Sequence, residues 1–158
     1  MNQGVQVVEM DYKDERQSKD FLFLMDQYAR DPMGLEDPLP IDVKNLLCLK
    51  LQELPGAATF LAYKDKGPVG LATCLTSFST FDARKAINIH DLFVISEERG
   101  LGIGDRLLQA IQKRARQMDC CQLTIEVRDD NHSARKLYER FGFEEGDPPL
   151  RFMKKGFY

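Results

Sequence analysis

The sequence predicts an α/β chain whose elements follow the order β-αα-βββ-α-β-α, with one more strand at the end. Three observations carry that prediction. An apolar run from Leu92 to Ile95 passes through a glycine-rich turn into a stretch where Ile103, Leu107, Ala110, Ile111, Ala115 and Met118 recur at helical spacing. Two earlier apolar runs, Ala58 to Tyr63 and Val69 to Leu75, are separated only by Lys64-Asp65-Lys66-Gly67, a hairpin signal. Leu123, Ile125 and Val127 then alternate as the residues of a strand do.

The remaining elements follow in order. Gln6 to Met10 alternates weakly and reads as a first strand, and charged residues continue to Asp20. Phe21, Leu22, Leu24, Met25 and Tyr28 mark one face of a helix. Asp31 to Pro40 holds three prolines and a glycine, which break both periodicities, so it is a loop. Asp42 is placed to cap a second helix carrying Val43, Leu46 and Leu47, which Pro55-Gly56 ends. Thr76 to Phe81 extends the second strand of the hairpin, and Asp82 to Lys85 turns into a fourth strand over Ala86 to Ile95. Asp129-Asp130-Asn131 supplies a turn and an N-cap for a last helix carrying Ala134, Leu137, Tyr138 and Phe141, closed by Gly142. Leu150 to Phe157 reads as the terminal strand.

At 158 residues, with 43% hydrophobic and 30% charged residues, the chain has the size and composition of one soluble domain spanning 1–158. No apolar run approaches the roughly 18 residues of a membrane span, so no membrane association is expected. The start, Met1-Asn2-Gln3-Gly4, lacks the basic and apolar regions of a secretory signal, which makes a cytoplasmic protein the expectation. A net charge of −3 argues against non-specific nucleic-acid binding, and Lys113, Arg114 and Arg116 read as a solvated helix face. Cys48, Cys74, Cys120 and Cys121 lack the spacing of a metal site and read as reduced thiols, so no metal is expected.

Chemistry enters at Arg99-Gly100-Leu101-Gly102-Ile103-Gly104. Alternate glycines let a backbone approach a ligand closely, and the N–H groups of a helix start favour an anion. Arg99 adds a cation able to pair with phosphate oxygens. Neither the G-x-G-x-x-G of a dinucleotide fold nor a Walker G-K-[ST] is present. The spelling R-x-x-G-x-G resembles the pyrophosphate loop of the GNAT superfamily of acyl-CoA-dependent N-acyltransferases. Asn131, with Tyr138 seven residues on and Phe141-Gly142-Phe143 after it, strengthens the likeness, which covers nearly the whole chain. The resemblance implies a mixed, mostly antiparallel sheet of six or seven strands, splayed between the fourth and fifth, with helices on both faces.

It also implies acetyl-CoA as cosubstrate. The residues expected to hold it are Phe93, Val94, Arg99, Gly100, Leu101, Gly102, Ile103, Gly104, Asp105 and Arg106, together with Asn131 and Tyr138. By family position Tyr138 is the acid for the departing thiolate; its bland reading is a Tyr packing the last helix. Asn88 to Val94, with Phe78-Ser79-Thr80-Phe81, resembles the spermidine/spermine acetyltransferase branch, in which a Glu stands where this chain has His90. That exchange keeps a possible base and removes a cation-binding carboxylate.

His90, Asp91 and a water chain remain the alternatives for deprotonating the amine. In a regular strand His90 and Asp91 point to opposite faces, so only one serves the acceptor unless a bulge intervenes. Asp91, with Glu36 and Asp37 of the broken segment, is expected to bind the amine; the bland reading of the last two is a solvated loop. The expected reaction is acetylation of a small-molecule primary amine by direct attack in a ternary complex. The alternatives are a protein N-terminus or lysine as acceptor, or a non-catalytic acyl-CoA-binding domain. Apolar groups at the end of the chain, Leu150 to Met153 and Phe157-Tyr158, point with the family branch to a homodimer.

Overall fold

A computed structural model describes residues 4–157. Met1 to Gln3, on which the localisation expectation rests, and Tyr158, the end of the apolar terminus, lie outside the described residues. The chain forms two compact units, Met1–Ile125 and Glu126–Tyr158.

The first unit is built on a five-stranded sheet in the order β1 (Val5–Glu9), β2 (Ala57–Lys64), β3 (Gly67–Ser79), β4 (Arg84–Val94) and β5 (Leu123–Ile125). The first four are antiparallel and β5 joins β4 in parallel, which makes the sheet mixed, as expected. Three helices accompany it: α1 (Glu15–Arg30), α2 (Ile41–Glu53) and α3 (Ile103–Gln117). The charged stretch before Phe21 is the first turns of α1, capped by Asp14, whose carboxylate accepts the Gln17 N–H. Asp42 does not cap α2. The helix starts at Ile41 after Pro40, the N-cap, which is extended at φ −55° and ψ 144°; Asp42 falls inside the first turn, where its charge favours the helix dipole but its side chain is past the capping position.

The two sheet faces carry different helices. Phe21 and Leu24 of α1 pack with Leu61, Leu71 and Phe93, whereas Gly70 on the other face lies against Ile103 and Leu107 of α3. All of these α1 and α3 side chains are fully buried, as the helical periodicity of the sequence requires.

Two strand expectations are corrected. The sheet has five strands among the described residues, not six or seven, because Leu150–Phe157 is not a strand. Alternating apolar residues make a strand only when another strand pairs with them, and this segment, following Pro148-Pro149, has no ladder partner among the described residues. Its Leu150 and Phe157 are more than 90% exposed. The fifth strand also stops at Ile125 instead of running on to Val127. Pairing ends at Ile89↔Ile125, and the next residue of β4, His90, is the extra residue of a β-bulge. A bulge bends its strand and increases the local twist, so the parallel ladder does not continue past it. This is the splay between β4 and β5.

The second unit holds α4 (His132–Arg140), whose N-cap is Asn131, as the sequence predicts: its Oδ1 accepts the Ala134 N–H at 3.2 Å. Gly142 follows the helix in the left-handed region at φ 86°. Arg135 and Glu145 form an ion pair at 2.8 Å.

Candidate active site

The bulge decides which way the β4 side chains point. Thr73 of β3 faces Asp91, and its neighbour Cys74 faces Ile89, so His90 has no partner across the ladder. Residues 89 and 91 of a regular strand share a face. Here they do not, and Asp91 joins Phe93 on the face that packs against α1. His90 is exposed and Asp91 half-buried.

Burial raises the Asp91 carboxyl above the ordinary carboxylate range, against the opposing charge of His90. A carboxyl so placed is a better proton acceptor than one in water. Its charge reaches the neighbours: burial first, and then Asp91 and Asp31, raise the Tyr28 phenol. Burial and Asp91 likewise raise the Cys74 thiol to about 12, which keeps it a packed, protonated thiol.

Phe93 links this carboxyl to the glycine loop. Tyr28 stacks on its ring at 5.2 Å between centroids, and the Arg99 guanidinium lies 5.5 Å from the ring centre. Arg99 Nε donates to the Val94 carbonyl at 2.9 Å and its Nη2 to Asp31 at 2.6 Å. The expected phosphate cation is therefore held by its own protein on two sides. Asp31, which the sequence offered only as the start of a loop, is a half-buried carboxylate; burial opposes its ionisation, and the Arg99 and Met33 donors outweigh burial to lower its pKa.

The loop itself has the backbone that its glycines permit. Gly100 and Gly102 sit in the left-handed region at φ 77° and 79°, and Gly102 is the N-cap of α3. A Cβ at Gly100 would meet no atom within 4 Å, so its reason is the conformation and an open space beside it. Ile103 buries its side chain under the loop, and Leu101 stays exposed. The first N–H groups of α3 have no partner inside the helix, and their dipole favours an anion there. These residues fit the pyrophosphate of a CoA thioester.

Glu36 and Asp37 are exposed on the loop between α1 and α2, and Glu36 has a positive φ of 60°. The first unit brings together Asp91, Phe93, Val94 and Arg99. Asn131 and Tyr138 belong to the second unit. There Tyr138 is buried, with its ring edge-on to Phe143 at 5.8 Å. The sequence reading missed Asp31 and Tyr28, and it missed Thr59 and Thr73, polar residues inside two apolar runs whose position was the available signal.

Comparison with known proteins adds the family. The model described as the acetyltransferase (GNAT) family matches residues 21–143. An uncharacterized N-acetyltransferase of Archaeoglobus fulgidus is 33% identical over 115 residues, 70% of this chain and 78% of that protein. The uncharacterized N-acetyltransferase YhfO of Bacillus subtilis is 35% identical over 77 residues, and the thialysine N-epsilon-acetyltransferase of Bos taurus 34% over 82. These two matches take in 49% and 51% of this chain and 52% and 48% of those proteins, so the chain spans about half their length. Among solved structures, an integron cassette protein from the mobile metagenome of V. cholerae superposes with a TM-score of 0.81 at 23% identity, covering 97% of this chain and 93% of that one. The aminoglycoside acetyltransferase AAC(6')-Iy, in complex with a CoA-acetylneamine bisubstrate analogue, does so at 0.77 and 17%, covering 96% and 99%. The structural likenesses establish the fold.

Proposed function

From the premise that this chain belongs to the acetyltransferase (GNAT) family, we propose that residues 1–158 act as one domain that acetylates the primary amine of a small molecule with acetyl-CoA. The observation that carries the reading is Asp91. A bulge turns it onto the α1 face just beyond the point where β5 leaves β4, eight residues before the loop that fits a pyrophosphate. Acetyl-CoA supplies an activated thioester, and the amine attacks it directly.

An amine is mostly protonated at neutral pH, with a pKa of about 10, so its proton must be removed before attack. Asp91 anchors the ammonium form and takes that proton. Glu36 and Asp37 add negative potential at the mouth of the acceptor site. The N–H groups of Leu101 to Asp105 hold the pyrophosphate, with Arg99 turning from Asp31 to help; the Arg106 N–H, also expected there from the sequence, is already donated to the Gly102 carbonyl at 3.2 Å. In this reading Asn131 sets the start of α4 and Tyr138 protonates the departing thiolate.

The likeness to the spermidine/spermine branch in Asn88 to Val94 supports an amine of low charge, because His90 stands where that branch carries a Glu. The chain works in the cytoplasm, with no metal and no nucleic-acid or membrane partner, as a homodimer joined through the exposed apolar residues of 150–157. A monomeric mass at micromolar concentration overturns the dimer.

Thiol release from acetyl-CoA, followed over thialysine, spermidine, neamine, single amino acids and alanyl peptides, tests the reading. Turnover is expected with a small amine. Turnover with peptides alone moves the acceptor to protein, and CoA binding with no turnover on any amine makes the chain an acyl-CoA-binding domain.

A further inference from the structure

Two threonines interrupt the apolar interior of the sheet. Thr59 of β2 is 0% exposed and Thr73 of β3 is 3% exposed, and among the described residues no other polar side chain is buried so completely. They stand opposite each other in the ladder, with their Oγ1 atoms 3.3 Å apart. The phenol of Tyr12 lies 2.9 Å from Thr59 Oγ1. The next cross-strand partner of Thr73, on β4, is Asp91. Tyr12, Thr59, Thr73 and Asp91 therefore form one row across the α1 face of the sheet, ending where β4 has parted from β5.

Counting protons shows what the row lacks. Three hydroxyls carry three protons, and the two hydrogen bonds inside the row use two of them. The third is donated beyond the three hydroxyls, to the carboxylate at one end or to water at the other, since a buried hydroxyl without a partner is costly. At the Thr73 end the neighbouring acceptor is the Asp91 carboxylate, the partner of Thr73 across the ladder. Side chains directly opposed in an antiparallel pair have Cβ atoms about 4.5–5.5 Å apart, a span that a hydroxyl or one water closes. At the other end Tyr12 is half-buried; burial raises its phenol, which stays protonated at neutral pH.

We propose that Thr73 is a positioning residue for Asp91 and that the row Thr73–Thr59–Tyr12 carries away the proton Asp91 takes from the amine. The inference rests on Asp91 being the base. While Asp91 is charged, the three hydroxyls point toward it. When an amine N–H bond breaks and the proton binds Asp91, the hydroxyls turn over. The Asp91 proton then passes through one bridging water to Thr73 Oγ1, the Thr73 proton to Thr59 Oγ1, the Thr59 proton to Tyr12 Oη, and the Tyr12 proton to bulk water. Each oxygen gains one proton and gives one up, so the row returns to its first orientation with the carboxylate restored. The other ionisable groups around Asp91 are His90 on its own strand, Cys74 on β3 and Tyr28 on α1.

The test uses full-length Thr73→Val, Thr73→Ser and Tyr12→Phe, each checked by its melting curve and by CoA titration. The Asp91 carboxyl is titrated by carbon-13 NMR, with Asp91→Asn to assign its signal. Removing a donor from the charged form raises a carboxyl pKa. Thr73→Val is therefore expected to move the Asp91 midpoint up by about one pH unit, and Thr73→Ser to return it. With the best amine among thialysine, spermidine and neamine, Thr73→Val and Tyr12→Phe should lower kcat by about tenfold with the KM for acetyl-CoA unchanged. Tyr12→Phe removes one atom at the half-buried end of the row, so it tests the exit path even where Thr73→Val does not fold. An Asp91 midpoint unmoved in folded Thr73→Val overturns the positioning role, and a native kcat in Tyr12→Phe overturns the path. Asp91→Asn that still transfers acetyl groups defeats the base reading instead, while the NMR midpoint still decides whether Thr73 holds Asp91.

Discussion

Arg99 and Asp31, 68 residues apart in the chain, meet at 2.6 Å, and the contact ties the loop between α1 and α2 to the start of the glycine loop. The same guanidinium covers Phe93 and binds the Val94 carbonyl, so one side chain joins the end of β4, the foot of α1 and the glycine loop. A carboxylate on Arg99 competes with any phosphate that approaches it. Asp31→Asn is expected to tighten CoA binding about threefold by calorimetry, and to have no effect on CoA in an Arg99→Ala background. Its stability cost should be about 1 kcal/mol, or 2–4 °C in Tm. Because the Asp31 pKa is lowered on folding, that contribution is present above the unfolded carboxyl value and disappears as pH falls through the folded one. Weaker CoA binding by folded Asp31→Asn would mean that Asp31 holds Arg99 in place for the phosphate.

Gly102 caps α3 in the left-handed region, where a side chain is strained by about 1–2 kcal/mol. A β-branched residue there also blocks the N–H groups beside it. Gly102→Val should lose CoA affinity by a factor of about a hundred, near 3 kcal/mol, while its circular dichroism stays close to native. Native affinity in a folded variant would remove the phosphate site from this loop.

With the Asp91 carboxyl raised by burial, the base form accumulates only above the usual carboxylate range. The kcat/KM for the amine is expected to rise with pH through a midpoint above that of an ordinary carboxylate, and Asp91→Asn to lose about a hundredfold or more and the midpoint with it. A profile set by the amine alone, identical in Asp91→Asn, identifies solvent as the base.

His90 is exposed at the bulge beside Asp91, so in the proposed function position 90 sets the charge at the edge of the acceptor site. His90→Glu adds a carboxylate there. Its kcat/KM for spermidine relative to a short monoamine is expected to rise about tenfold, the scale of a single charge pair of 1–2 kcal/mol. An unchanged ratio, with spermidine already the best substrate of the native protein, places residue 90 outside the acceptor site.

Tyr138 is buried against Phe143, and the phenolic hydroxyl is the only group that Tyr138→Phe removes. In its proposed role as leaving-group acid it contributes to the transition state, so the variant should lose about tenfold or more in kcat at unchanged CoA affinity. Equal rates would make Tyr138 a packing residue.

The periodic elements were readable because burial imposes them locally. The α3 stripe from Ile103 to Ala115, the α1 pair Phe21 and Leu24, and the Asn131 cap each follow from spacing and one neighbouring turn. The glycine loop was readable too, since a left-handed backbone at Gly100 and Gly102 selects the residue type directly. The terminal apolar run misled, because a strand is a property of two segments and its pairing partner is not encoded nearby. The bulge at His90 was legible only as a question. One extra residue in β4 is defined by its register against β3, and that register comes from the pairing of the whole hairpin. So the sequence alone determined the helices, the hairpin and the backbone of the glycine loop, all decided within a few residues. Only the tertiary structure decided that Asp91 faces α1, that Asp31 occupies Arg99, and that two buried threonines and a tyrosine stand in line with the candidate base, because each depends on residues brought together across the sheet.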